Sequence, residues 1–212
     1  MTRGLATVVL ALAAAVRVAQ QTPVNDVIAG CFPLTIQGAA PFHPPEFADF
    51  PVSGELRRKP ARVNLTSHPM ARQFRTMIRS GAAEGPNFAG HYTIVSWGCG
   101  SGCSQFAIVN AANGRVFFPP EVRVVRTTHV MEPEDAGRYQ LNRRRFSRDS
   151  ALFAVIGAPN EGPDEGVFYY RWSGDSLKLV RFIRSVKTAC DPITAVSTPY
   201  TDVTSSAITA ML

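Results

Sequence analysis

The fold is decided by residues 88–110, which read FAGHYTIVSWGCGSGCSQFAIVN. Two short apolar runs, YTIVSW (92–97) and QFAIVN (105–110), have the length and the β-branched and aromatic content of strands. The GCGSGC segment between them contains three glycines, which allow the chain to fold back at little steric cost. We therefore predict two paired strands closed by a local disulfide between Cys99 and Cys103.

Strand patterns continue on the C-terminal side of this stretch. Five further runs are predicted as strands: RVFF (115–118), YQLN (139–142), ALFAVIG (151–157), VFYYRW (167–172) and LKLVRFI (177–183). Glycine-containing AANG (111–114) and SGD (173–175) are predicted as hairpin turns. The ALFAVIG run is apolar at consecutive positions, which indicates a central strand covered on both faces.

One amphipathic helix is predicted on the N-terminal side. Ser67 is the expected N-cap, an apolar stripe from Met70 to Ile78 forms one face, and Gly81 is the expected end. Residues 67–184 therefore predict a mainly β (α+β) domain, an antiparallel meander or sandwich with the helix packed on it. Residues 20–66 hold seven prolines and predict an extended arm with brief strands at 50–52 and 61–65.

The first residues have the pattern of a signal peptide. Arg3 precedes an apolar run from Leu5 to Val16, and Ala13–Ala15 provides a small-residue cleavage motif. The run is shorter than the roughly 20 residues that a spanning helix requires. Residues 1–19 are therefore predicted to be removed on export, leaving a periplasmic or secreted protein without a transmembrane segment. An uncleaved interfacial helix is the alternative.

The four cysteines are an even set, as expected for an oxidising compartment. Beside the local pair, Cys31 is predicted to bond Cys190 and so tie the tail, residues 185–212, to the start of the mature chain. Two alternatives remain open: lipidation of Cys31 within IAGC, and a metal site formed by His91, Cys99 and Cys103. A structural zinc site needs a fourth ligand that the spacing does not supply, so neither a metal nor a cofactor is predicted.

Basic residues are concentrated in two places in a chain of formal net charge +6. One cluster contains Arg57, Arg58, Lys59 and Arg62, and the other contains Arg143, Arg144, Arg145 and Arg148. In an exported protein they suggest an anionic envelope component as the partner, and solvated loops are the alternative interpretation. No nucleic-acid recognition motif accompanies the charge, so a nucleic-acid partner is not predicted.

Three residues are candidate ligand contacts: His91, Trp97 and Tyr170, each of which has core packing as the alternative role. The leading hypothesis is a non-catalytic binding or structural domain. An envelope hydrolase is the alternative, with His91 as general base beside the Cys99–Cys103 turn and Asp149 as the candidate carboxylate. A thiol–disulfide protein is disfavoured because the spacing is C-x3-C rather than C-x2-C.

The block FAGHYTIVSWGCGSGC, with the preceding RQFRTMIRSGAAEGPNF and the later SRDSALFAVIG and FYYRWSGDSLKLV segments, resembles a family of exported bacterial proteins of uncharacterised function. The resemblance covers roughly residues 46–184, judged by matching strand patterns. It implies an envelope location and a shared fold. It brings no activity, cofactor or catalytic residue.

Overall fold

The computed structural model describes residues 27–30, 35–128 and 144–187. The strands are β1 (Val27–Gly30), β2 (Tyr92–Gly100), β3 (Cys103–Asn110), β4 (Val116–Phe117), β5 (Val124–Arg126), β6 (Arg144–Phe146), β7 (Leu152–Pro159), β8 (Gly166–Trp172) and β9 (Leu177–Lys187). The α-helices are α1 (Pro69–Gln73) and α2 (Arg75–Ala83), and short 3₁₀ turns occupy Gln37–Phe42, Phe47–Asp49 and Pro120–Val122. The predicted YQLN strand lies outside the described residues.

The strands form one sheet in the order β1-β9-β8-β7-β5-β3-β2, with β4 added beside β3 and β6 beside β7. Neighbouring strands are antiparallel except for β1 and β9, which run parallel. The predicted fold class, mainly β with helix packed on the sheet, is confirmed. The parallel pair makes the sheet mixed, which the sequence pattern did not indicate.

The sheet folds on itself at the short strand β5, so that its two halves share one apolar layer. The rings of Phe106 in β3 and Phe153 in β7 lie 5.1 Å apart, and those of Tyr92 and Trp172 lie 5.4 Å apart. Side chains of β2, β3, β7 and β8 thus meet in a single cluster, which we call the inner layer. A meander or a sandwich was predicted, and the two facing halves form a sandwich-like arrangement.

Each half of the sheet also buries its outer face under a different cover. Helices α1 and α2 pack on the outer face of β2–β3. The segment 36–50 packs on the outer face of β7–β8. Every residue from Leu152 to Ala158 is buried, which confirms that the apolar run of β7 is covered on both sides.

The single predicted helix is two short helices that meet at Phe74. His68 is the N-cap, with its Nδ1 accepting from the Met70 N–H at 3.2 Å, so the assignment of Ser67 was wrong. The Ser67 hydroxyl instead accepts from the Val116 N–H at 2.9 Å and fixes the helix start to β4. Gly81 lies inside α2 rather than at its end. The position requires glycine because it faces Val95 at a distance that leaves no room for a Cβ.

The predicted brief strands of the arm are single bridges in the structure, Pro51 with Ser150 and Asn64 with Arg115. The 3₁₀ turns at Gln37–Phe42 and Phe47–Asp49 interrupt the extended path expected from the prolines. Among the described residues, no helix has the length and apolar character needed to cross a membrane.

Candidate functional site

The Cys99–Cys103 pair closes the hairpin between β2 and β3, as predicted. The two sulfur atoms lie at disulfide-bonding distance and the Cα atoms are 5.2 Å apart. Gly100 and Gly102 between them have φ values of +136° and +64°, conformations that a side chain disfavours. Cys31 and Cys190 lie outside the described residues, so the long bridge and the lipidation of Cys31 stay predictions.

His91 belongs to a tight turn rather than to a strand. Ala89 and Gly90 before it both have positive φ, +42° and +78°. The Gly90 N–H donates to the Arg148 carbonyl at 2.6 Å, which fixes the turn to the loop before β7. The half-buried imidazole of His91 stacks on the ring of Tyr92 at a centroid distance of 4.4 Å. The FAGHY motif is thus a structural turn that begins β2.

The geometry does not assemble the hydrolase centre considered above. His91 precedes the first residue of β2 and Cys99 lies near its last, so about eight extended residues separate them by roughly 26 Å. Proton transfer needs hydrogen-bond distance or one intervening water. Asp149 is exposed; its carbonyl accepts from the Val52 N–H and its N–H donates to the Ser147 hydroxyl. Among the described residues, His91 makes no ion pair with a carboxylate.

Trp97 and Tyr170 lie on different sides of the sheet. Trp97 is 5% exposed under the helices; its ring lies 4.8 Å from that of Phe74 and its indole N–H donates to Gln105 Oε1 at 3.3 Å. Tyr170 lies in the inner layer, where burial and then the charge of Glu121 raise its pKa to about 12. The structure therefore does not bring His91, Trp97 and Tyr170 into one pocket.

The three residues of the alternative metal site do not come together as ligands. Cys99 and Cys103 form the disulfide, and His91 lies at the other end of β2. Within residues 27–30, 35–128 and 144–187, no group of three or more His, Cys, Asp or Glu side chains is placed to hold a metal ion.

Two residues of the first basic cluster, Lys59 and Arg62, line a groove, which we call the basic groove. It has a volume of about 510 Å³ and lies between the segment 59–63 and α2. Lys59 and Arg62 stand on one wall, and Arg79 of α2 stands on the other. The remaining described lining is apolar: Pro60, Ala61, Val63, Ala82 and Ala83. The described lining thus presents three cations and no acidic side chain.

Hydrogen bonds to the backbone of the turn between β3 and β4 hold the 59–63 wall in place. The Arg58 guanidinium donates to the Ala112 carbonyl at 3.0 Å, and the Asn64 N–H donates to the Gly114 carbonyl at 2.8 Å. Gly114 has φ +78°, and a side chain there would collide with the backbone of Arg62. The wall is therefore fixed to the turn between β3 and β4 before any partner binds.

The second basic cluster is not uniformly exposed. Arg144 is 3% exposed, stacks 4.7 Å above the Phe106 ring and donates from Nη2 to the Ser104 carbonyl at 3.2 Å. Burial lowers the pKa of Arg144 to about 9. Arg148 lies 3.9 Å from Glu55, and Arg143 lies outside the described residues. Arg144 therefore fits neither interpretation of the cluster, an anion-binding surface or a solvated loop.

No protein-family model, curated protein or solved structure matches this chain. The function is therefore inferred from the fold and the basic groove, and the resemblance to exported bacterial proteins stays a prediction.

Proposed function

We propose that the protein is an exported, non-catalytic binding domain of the cell envelope that holds an anionic polymer in the basic groove. The observation that carries this proposal is the concave groove with Lys59, Arg62 and Arg79 on facing walls and no acidic side chain in its described lining. Cations that face each other across a groove attract an anionic chain from both sides.

The shape of the groove supports a chain-like partner over a flat membrane surface. Lys59 and Arg62 are exposed, and Arg79 projects from the exposed face of α2. Apolar residues between them, such as Pro60 and Ala82, offer a surface for the uncharged backbone of a polymer. A polymer bearing phosphate or carboxylate groups matches this alternation of charge and apolar surface.

Export is supported by the signal-peptide pattern of residues 1–19 and by the disulfide-bonded pair at the hairpin tip. Disulfides persist in oxidising compartments and are rare in the cytosol. The hydrolase alternative has less support, because His91 and the Cys99–Cys103 turn lie at opposite ends of one strand.

Binding of defined-length polyphosphate, measured by fluorescence anisotropy over a range of salt concentrations, tests the proposal. The triple variant Lys59→Gln/Arg62→Gln/Arg79→Gln should bind at least about tenfold more weakly. Three exposed charge contacts at about 0.5 kcal/mol each account for a loss of this size. The affinity of the unmodified protein should fall as salt rises, because exposed charges are screened.

The matched control is Arg123→Gln/Arg171→Gln/Lys178→Gln, which removes the same charge from exposed positions outside the groove. This control should keep most of the affinity. Equal losses in the two triple variants would show attraction to net charge alone and would reject the groove. Binding to phosphatidylglycerol vesicles but not to polyphosphate would replace the polymer with a membrane surface.

A further inference from the structure

A second cavity lies on the other half of the sheet, between the arm and the outer face of β7–β8. Its volume is about 450 Å³, within the range of sites that hold small molecules. Pro44, Pro45 and Phe47 of the arm form one wall, and Leu152, Ala154 and Tyr169 form the floor. These residues give the cavity a largely apolar surface, and we call it the arm cavity.

The arm wall is fixed to the sheet on both sides of the two prolines. The Arg181 guanidinium donates to the carbonyls of Phe42 at 2.6 Å and His43 at 3.3 Å. After the prolines, the Phe50 carbonyl accepts from the Ala151 N–H at 2.9 Å, just before β7, and Glu46 and Asp49 cap the 3₁₀ turn in between. Proline itself restricts the backbone. The cavity is therefore formed in advance, which lowers the entropic cost of binding a ligand.

Tyr169 gives the cavity a specific polar group. The residue is 3% exposed, and its hydroxyl has no hydrogen-bond partner among the described residues. Buried hydroxyls are nearly always paired, so an unpaired one indicates a missing partner. Burial raises the pKa of Tyr169 to about 12, against a smaller opposite effect of Arg181. The hydroxyl is therefore protonated at neutral pH and available as a donor.

The charges around Tyr169 favour an acceptor that is anionic. Arg181 lies directly opposite Tyr169 in the β8–β9 register, and Arg145 lines the cavity. Glu46 is the acidic residue of the described lining, and its carboxylate accepts from the Asp49 backbone N–H as part of the cap. A ligand group near Tyr169 thus meets a neutral donor and the positive charge of Arg145, while the Arg181 guanidinium is occupied by the carbonyls of Phe42 and His43.

From this combination we infer that the arm cavity binds a small amphipathic acid. Its alkyl or aromatic body lies against the proline and leucine walls, and its carboxylate accepts a hydrogen bond from the Tyr169 hydroxyl. This inference does not depend on the proposed polymer binding, since the basic groove lies beside α2, on the half of the sheet that the helices cover.

Isothermal titration calorimetry with decanoate tests the inference, and decyltrimethylammonium serves as a cationic probe of the same chain length. The unmodified protein should bind decanoate saturably and the cationic probe far more weakly. Tyr169→Phe should weaken decanoate binding about tenfold, the usual effect of losing a hydrogen bond to a charged group. Tyr170→Phe is the matched control, since it removes a hydroxyl from the opposite face of β8 and should leave the affinity unchanged.

A second variant tests the cavity without changing a buried residue of the core. Ala48 is exposed and lines the cavity, so Ala48→Trp should obstruct it from outside the core and abolish decanoate binding. Absence of saturable binding to the unmodified protein, or unchanged affinity in Ala48→Trp, overturns the inference. Equal binding of the two probes would leave an apolar cavity without acid recognition and would overturn the role of Tyr169. The groove variant Lys59→Gln/Arg62→Gln/Arg79→Gln should bind decanoate normally, which separates the two proposals.

Discussion

The two halves of the sheet are covered in different ways. Over β2–β3, the helices bring Phe74 within 4.8 Å of Trp97 and bring Gly81 directly against Val95. Over β7–β8, the arm is attached through Arg181 and the Phe50 carbonyl and leaves a cavity of about 450 Å³ beneath it. A close-packed cover stabilises the sheet, whereas a cover attached at its ends leaves room for a ligand.

The largest expected effect contrasts an aromatic side chain beneath the helices with one in the arm. Trp97→Ala should lower the free energy of unfolding by about 3–5 kcal/mol, because the helices cannot collapse into the space left by the ring. Phe47 is 37% exposed at the arm cavity, so Phe47→Ala should cost less than about 1 kcal/mol. Urea denaturation under non-reducing conditions measures both. Similar losses in the two variants would mean that the arm is packed as tightly as the helices.

A smaller effect tests how closely the helix approaches the sheet. A Cβ at Gly81 would lie 2.5 Å from Val95 Cγ1, and valine has little rotamer freedom to move away. Overpacking costs about 1–3 kcal/mol, while alanine gains about 1 kcal/mol in a helix interior. Gly81→Ala should therefore destabilise the protein by a net amount of about 1 kcal/mol. Ser80→Ala on the exposed face of the same helix should be neutral or slightly stabilising, and a gain from Gly81→Ala would contradict the close contact.

The sequence predicted the strands that carry a strong local pattern. The apolar run of β7 was sufficient, because burial on both faces dictates those residue types. Strands β5 and β6 have three residues each, too few to show a period, and their pairing depends on where β3 and β7 lie. Gly81 also depends on a neighbour that the local pattern does not show. By sequence it is typical of a helix end, but glycine is required there because the residue contacts Val95 of β2.

The candidate site was predictable only in part, for a similar reason. Lys59 and Arg62 stand in a visible basic cluster, but the groove needs Arg79, which only the fold brings opposite them. Arg144 and Arg145 look alike in sequence. Arg144 is buried because β6 places it opposite Val155, whose side chain points into the inner layer. Phe146, two residues later, lies on the same face of β6 and also packs against the inner layer.

A pH-dependent effect compares the two tyrosines that stand back to back on β8. The pKa of each is raised to about 12, mainly by burial, from an ordinary value of about 10. The folded protein therefore holds more protons than the unfolded chain between pH 10 and 12. The associated stability is complete below pH 10 and is lost as the pH rises through 12. Tyr169→Phe and Tyr170→Phe should each make that alkaline loss shallower in urea denaturation at pH 8, 10 and 11.

At neutral pH the Tyr169→Phe variant should distinguish the arm cover from an ordinary packed layer. Removing a buried hydroxyl that lacks a partner should leave the free energy of unfolding unchanged or raise it by up to about 1 kcal/mol. A hydroxyl that is paired within the protein would instead cost about 1 kcal/mol when removed. A loss of that size in Tyr169→Phe would mean that the protein itself satisfies the hydroxyl. The floor of the arm cavity would then be as complete as the layer beneath the helices, and the difference between the two covers would lie in volume alone.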